Sequence, residues 1–397
     1  MSPARPASQG GSPVRDTYLP YALPQFGEAE RRELLDALDS GWITTGPRVK
    51  AFEDALAQWV GAPHMICMDS CTAALHIALV LLDLKPGDEV ITTPMTFAST
   101  VTSILHAGGT PVLVDVEPDT LNLDPRRVAE AVTARTRALL PGHFGGHPAS
   151  MDELLALAGT HGLAVIEDAA HAIGARYKGR MIGTLGDLTC FSFYATKNLT
   201  TAEGGALATA SDAFAERARL LSLHGMSRDA WKRYTSAGSW YYEIVEAGFK
   251  YNMTDLEAAL GLHQLQRLPE FSARRAELAA RFDAGLAGLV DVPTVREGVD
   301  AVYHLYPIRL HLNRLSIDRA RFIDELKAEN IGTTVNFIPI HYHPFFRERL
   351  GLERGAFPVT EAAYERMISL PLYPRMTDAD ADDVITAVHK LHAAYRR

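Results

Sequence analysis

"LTCFSFYATKNLTTAEGGALATA", residues Leu188–Ala210, decides the reading of this chain. It opens on an apolar run of strand composition and closes on a second, "GGALATA". Between them stand a single amine, Lys197, and a Glu203-Gly204-Gly205 turn. A lysine on an exposed loop is ordinary. A lysine at the end of a buried strand is different, because a partly apolar site lowers its pKa and makes it a nucleophile.

Working outward, the same strand composition recurs upstream, alternating with helical segments. "HMICMD" precedes the helical "TAALHIALVLLDL", "DEVITTP" precedes "STVTSILHAG", and "PVLVDVE" follows. "RALLPGHF" then leads to "MDELLALAGTHG" and to the apolar "LAVIEDAA". Short apolar strands separated by helices predict a mainly parallel sheet covered on both faces, an α/β fold. Ligands bind such sheets at the carboxyl ends of the strands. The chain turns mainly helical from Ser211, with "MTDLEAALGLHQLQRL" capped by Thr254. The last part, with "YHLYPIRL" and "GTTVNFIPI" as short strands, predicts a smaller α+β domain. The expected organisation is a mobile tail over 1–16, a large α/β domain over 17–285 and a small domain over 286–397.

With 397 residues, 47% hydrophobic and 22% charged, the chain is an ordinary globular protein of two domains. A net charge of −9 argues against nucleic-acid and anionic membrane surfaces. The three cysteines, Cys67, Cys71 and Cys190, are odd in number and lack metal-ligand spacing, which fits a reducing, cytoplasmic setting and no metal. No apolar run is long enough for a bilayer.

Three strand ends carry chemistry. "DSCTAAL", Asp69–Leu75, opens a helix with small polar residues, and its free amides suit a phosphate or a plain cap. In "VIEDAAHAIGA", Asp168 follows an apolar strand and needs a partner there, as a helix cap, a metal ligand or the partner of a buried cation, and the lack of a ligand cluster nearby in sequence disfavours metal. Lys197 is the third. A phosphate cradle, a buried acid and a lysine together match the needs of pyridoxal 5′-phosphate (PLP). A nicotinamide dehydrogenase is the rival for such a sheet, but no G-x-G-x-x-G follows an early strand.

The chain further resembles the DegT/DnrJ/StrS family of PLP-dependent sugar aminotransferases, of the aspartate-aminotransferase fold (fold type I). The resemblance runs from about Leu19 to near the C-terminus. It rests on "SGWITTGPRVKAFE", "SCTAALHIAL", "GDEVITTPMTFAST", "GHFGGHPASMD", "IEDAAHAIGA", "FSFYATKNLTTAEGG", "KYNMTDLEAALGLHQL" and "SLPLYPRMTD", in that order. It implies that Lys197 carries the cofactor and Asp168 pairs with its pyridinium nitrogen. Cys71, Thr72 and Ser192 match phosphate-binding positions, although many relatives have Gly or Ser where Cys71 stands. Phe97 matches the aromatic residue stacked on the ring, and His171 a residue beside it. Asn252 matches an asparagine that reaches the neighbouring subunit's phosphate, which implies a homodimer with shared active sites. Thr45 and His341 match positions near the substrate. The implied activity moves an amino group, from L-glutamate, to a nucleotide-linked keto sugar. A UDP-4-keto sugar giving a 4-amino-4-deoxy sugar is the first expectation. A dTDP-3-keto or 4-keto-6-deoxy sugar and a keto-inositol are alternatives, and a non-catalytic PLP-binding regulator is a further one. Ser227–Glu246, "SRDAWKRYTSAGSWYYEIVE", is rich in Trp, Tyr, Arg and Lys and is expected to close over the nucleotide.

Overall fold

The computed structural model describes residues 5–227 and 241–397. Among these residues, thirteen strands and twelve α-helices follow in chain order. The strands are β1 (His64–Met68), β2 (Glu89–Thr92), β3 (Thr110–Leu113), β4 (Thr136–Leu139), β5 (Ala164–Asp168), β6 (Arg176–Tyr177), β7 (Arg180–Met181), β8 (Leu188–Ser192), β9 (Gly205–Thr209), β10 (Val290–Asp291), β11 (Val299–Asp300), β12 (Tyr306–Leu310) and β13 (Met367–Leu370). The helices are α1 (Glu28–Asp39), α2 (Pro47–Val60), α3 (Cys71–Val80), α4 (Ala98–His106), α5 (Pro125–Ala131), α6 (Met151–His161), α7 (Asp212–Leu221), α8 (Asp255–Leu286), α9 (Arg319–Ala328), α10 (Pro344–Leu350), α11 (Pro358–Arg366) and α12 (Asp378–Ala394).

Seven strands form the main sheet, in the order β1-β9-β8-β5-β4-β2-β3. Only β9 runs against the rest, pairing antiparallel with both β1 and β8. This is the mainly parallel α/β sheet that the alternating pattern predicts. Its strands are apolar throughout because both faces are covered. Along β5, Val165 enters the core built with α2 and α6, while Ile166 enters the one built with α3 and α7. Because α3 lies wholly against the sheet, nearly all its residues are buried.

The registers line up the ends of the strands. Asp168 pairs with Cys190, and Gly205 faces both Ser192 and Met68. The residues that leave β1, β5 and β8 and the first residue of β9 therefore meet at one edge of the sheet.

A separate core gathers β12, β13, α9 and α12. The boundary expected at 286 does not divide the cores. Ala258, Leu265 and Leu268 of α8 join the main core, while Leu278, Ala279, Phe282 and Leu286 of the same helix join the second. Leu19, far away in sequence, also belongs to the second core.

Two expectations need correction. Residues 5–16, read as a mobile tail from composition, are tied to the small unit by buried carboxylates. Ala7 N–H and Val14 N–H donate to Glu329 at 2.9 and 2.8 Å, and the Ser8 hydroxyl bonds Glu325. Composition reports missing apolar periodicity, whereas these contacts are polar and come from distant residues. "GTTVNFIPI", read as a strand, forms only an isolated bridge between Thr334 and Ser369. Beyond it the chain turns toward the main sheet, where Asn336 and Phe337 line a cavity. Among the described residues no helix is long and apolar enough to cross a membrane.

Candidate active site

The aligned strand ends open into a cavity of about 490 Å³. Asp168, at the end of β5, is held at both carboxylate oxygens. Thr100 Oγ1 of α4 donates to Oδ2 at 2.7 Å, and Ala170 N–H donates to Oδ1 at 3.2 Å. A carboxylate only accepts, so the Thr100 proton is committed to Asp168, and Thr96 supplies the proton for the 2.7 Å bond between the two threonines. Behind Asp168, Ala149 N–H donates to His143 Nδ1 at 3.0 Å. His143 Nε2 is thereby the donor to buried Glu167, also at 3.0 Å.

Lys197 lies past the end of β8, in a turn closed by its own N–H to the Tyr194 carbonyl at 2.9 Å. Its amine enters the cavity 3.4 Å from His304 Nε2. Burial pushes its pKa down to about 8, with the Asp168 carboxylate acting in the opposite direction. A substantial fraction of the amine is then neutral near physiological pH.

Gly145 N–H donates to His171 Nδ1 at 3.3 Å, which leaves the ring proton on Nε2. Burial, reinforced by Lys197 and His143, holds the pKa of His171 well below the usual histidine range. The imidazole is neutral, and it stacks on Phe337 with centroids 5.7 Å apart.

The floor is the start of α3. Ser70 caps the helix, its hydroxyl accepting from Ala73 N–H at 3.1 Å. The first N–H groups of a helix have no partners within it. Gly205 lies so close that a Cβ there would sit 2.4 Å from Cys71 N. Only a glycine lets β9 approach this helix start. Cys71 is buried, and burial followed by the Asp168 charge pushes its thiol up, so it is uncharged. Thr72 and Ser192 also line the cavity, as does Phe97, 60% exposed and 6.1 Å from Phe337.

Three residues named from sequence lie elsewhere. Asn252 Nδ2 donates to Thr45 Oγ1 at 2.6 Å, and Thr45 donates to the Met253 carbonyl, also at 2.6 Å. Neither lines the cavity. His341 is buried against Glu361 at 2.9 Å, between Tyr342 and Phe357. It too is absent from the cavity wall, because Glu361 collects it together with the Tyr342 hydroxyl. Of the aromatic stretch Ser227–Glu246, residues 228–240 lie outside the described residues.

Sequence reasoning missed His304, Thr100, Asn198 and Phe337. His304 stands in "YHLYPIRL", where only the strand pattern was read. A polar ring directly before a buried strand was the available signal.

These residues fit PLP. A helix start whose approach a Cβ would block, an acid at a strand end and a buried amine converge on one cavity. They define a pyridoxal-phosphate enzyme built on the fold type I sheet. The chain belongs to the DegT/DnrJ/EryC1/StrS aminotransferase family, whose model matches residues 24–389. It is 50% identical over 381 residues to the spore coat polysaccharide biosynthesis protein SpsC of Bacillus subtilis, covering 95% of this chain and 98% of that one. Among solved structures it resembles Spr1654 of Streptococcus pneumoniae, determined in PMP and PLP forms. For the PMP form the identity is 34% and the TM-score 0.89, over 94% of this chain and 99% of that one. It also resembles DesV of S. venezuelae, determined in complex with a ketimine intermediate, at 35% identity and a TM-score of 0.84 over 91% and 94% of the two chains. The protein is thus a PLP-dependent sugar aminotransferase.

Proposed function

We propose that the enzyme aminates a nucleotide-linked 4-keto sugar, UDP-linked in the first instance, to the 4-amino-4-deoxy sugar, with L-glutamate as donor. The observation that carries this reading is the convergence of the Lys197 amine, the Asp168 carboxylate and the open start of α3 on one cavity. The likeness to a spore coat polysaccharide protein supports a sugar destined for a polymer. Sugars enter polymers as nucleotide-activated units, which favours the nucleotide-linked substrate.

PLP, when bound, supplies an electron sink for the carbon that loses its proton. The chain supplies the rest. Asp168, fixed by Thr100 and Ala170, is the acid to hold the pyridinium proton. The free N–H groups at the start of α3, with Thr72 and Ser192, are the anchors for the phosphate. Lys197 carries the cofactor and, once released, moves a proton to and from the substrate carbon. An amine with a pKa of about 8 suits both directions of that transfer. Neutral His171 lies alongside without adding charge.

Each site is completed by a second copy of the chain, with Asn252 directed to the neighbour's phosphate, and the enzyme works in the cytoplasm with its three buried cysteines reduced. A panel of UDP- and dTDP-linked keto sugars and keto-inositols, incubated with L-glutamate and read by mass spectrometry, tests the substrate. A one-unit mass increase on a UDP-4-keto sugar is expected, because C=O becomes CH–NH2. Amination of only dTDP-3-keto sugars or keto-inositols would refute the assignment.

A further inference from the structure

A chain of forced hydrogen bonds ends at Lys197. The Val302 carbonyl can only accept, and Asn198 Nδ2 donates to it at 2.9 Å. That fixes the Asn198 amide, so its Oδ1 faces His304 Nδ1 at 3.2 Å as an acceptor. Nδ1 must then carry a proton. On the neutral ring this leaves Nε2 as a bare lone pair, 3.4 Å from the Lys197 amine, at the long end of the hydrogen-bonding range. Asn198 and His304 are both buried, so water does not substitute freely for either.

The neutral form is enforced from several sides. Among the described residues, the charged and titratable groups facing His304 are Lys197, His171 and Arg275, and none is an acid. The His171 ring lies 4.4 Å away, centroid to centroid. Buried Arg275, on α8, donates to the carbonyls of Tyr303, His304 and Leu372 at 3.2, 3.5 and 2.7 Å. Its cation is thus pinned to the backbone beneath the His304 ring. Burial, then Lys197, His171 and Arg275, hold the pKa of His304 well below the usual range.

We infer that His304 is a positioning residue for Lys197, an acceptor of fixed tautomer, set by Asn198, that holds the free amine in the cavity and stabilises its ammonium form. The bond favours the charged amine, because an acceptor on a donor cation lowers the free energy of that cation. It opposes the desolvation that otherwise empties the ammonium state. His304 thereby helps set the proton occupancy of the amine that exchanges protons with substrate. This inference rests on Lys197 being the cofactor lysine.

The test reads Lys197 without turnover. Full-length protein stripped of cofactor is mixed with PLP at a series of pH values, and the rate at which the Schiff-base absorbance grows is recorded. Only the neutral amine reacts, so the midpoint reports its pKa, expected near 8 in the unaltered protein. In His304→Phe the midpoint should fall by about one pH unit, a tenfold loss of ammonium stability. His304→Gln, whose amide oxygen accepts the same bond, should stay close to the unaltered value. An unmoved midpoint in His304→Phe overturns the inference, as does an equal shift in the Gln variant. If the phenyl ring prevents folding, Asn198→Ala carries the test. Freeing the tautomer should lower the midpoint, and no change there is equally fatal. Borohydride reduction and peptide mapping of the unaltered protein separate the two readings. Label on another lysine removes the cofactor assignment itself, whereas label on Lys197 with unmoved midpoints removes only the role of His304.

Discussion

Gly205→Ala adds one methyl group at the closest backbone approach in the site. The new Cβ would lie 2.4 Å from Cys71 N, 2.4 Å from Ser70 C and 2.6 Å from Ser70 O. Ordinary contact begins at 3.4 Å, and all three neighbours are backbone atoms that cannot rotate away. The start of α3 must therefore move from β9 by about 1 Å, and overpacking of this kind costs about 1–3 kcal/mol of stability. A donor moved that far from a phosphate oxygen leaves hydrogen-bonding range. Each bond to a charged group is worth about 1.5–3 kcal/mol, so losing one weakens PLP binding about 10- to 150-fold. The assay titrates cofactor-free protein with PLP and, in parallel, with pyridoxal, which lacks the phosphate. The defect should appear with PLP and nearly vanish with pyridoxal. Gly159→Ala is the control, because its Cβ meets nothing within 4 Å and α6 should gain about 0.5–1 kcal/mol. Unchanged PLP affinity in Gly205→Ala, or an equal loss for both ligands, would refute the placement of the phosphate at α3.

Asp168→Asn keeps the bond from Thr100 but loses the charge, so turnover should fall on the order of a thousandfold while PLP occupancy, read by absorbance, changes little. Near-normal turnover would move the acid elsewhere. For shared sites, inactive Lys197→Ala and Asn252→Asp proteins should regain activity when mixed and allowed to exchange subunits. One site of the mixed dimer then carries both lesions and the other neither, and merely additive parental activity would contradict this. His171 and His304 are held neutral in the folded protein, while the unfolded chain protonates its histidines below about pH 6.5. The unfolded state therefore binds more protons, and stability should fall as pH drops through that value toward 5. His171→Gln should flatten the dependence measured by urea denaturation, and an unaltered slope would count against the buried neutral ring.

What the sequence made legible follows from where information is local. A parallel strand buried on both faces writes a continuous apolar run, so β5 and β8 and the residues that end them, Asp168 and Ser192, could be read directly. Lys197 was legible because a lone amine interrupts such a run. The supports of these groups were not. Thr100 meets Asp168 across 68 residues, and His304 meets Lys197 across 107, so neither contact leaves a mark in any window of sequence. "GTTVNFIPI" has the β-branched composition of a strand, but past Thr334 it follows the cavity instead of a ladder. His341 sits in a recognisable segment, yet Glu361, twenty residues away, decides where its ring points.

The helix α8, divided between two hydrophobic cores, ties the two lobes into one cooperative unit. Its first half is part of the scaffold beneath the sheet, and its last turns carry Leu278, Phe282 and Leu286 into the second core. A fragment beginning at residue 286 would leave most of that helical face behind, together with Leu19, and expose the apolar surfaces of β12 and α12 that they cover. It would gain no independent stability from its remaining residues. The Arg275 bonds to Tyr303, His304 and Leu372 strengthen this tie, because the small lobe cannot open without breaking them at the cavity wall. Hydrogen exchange across α8 would then fall in a single protection class from end to end, although its two halves serve different lobes.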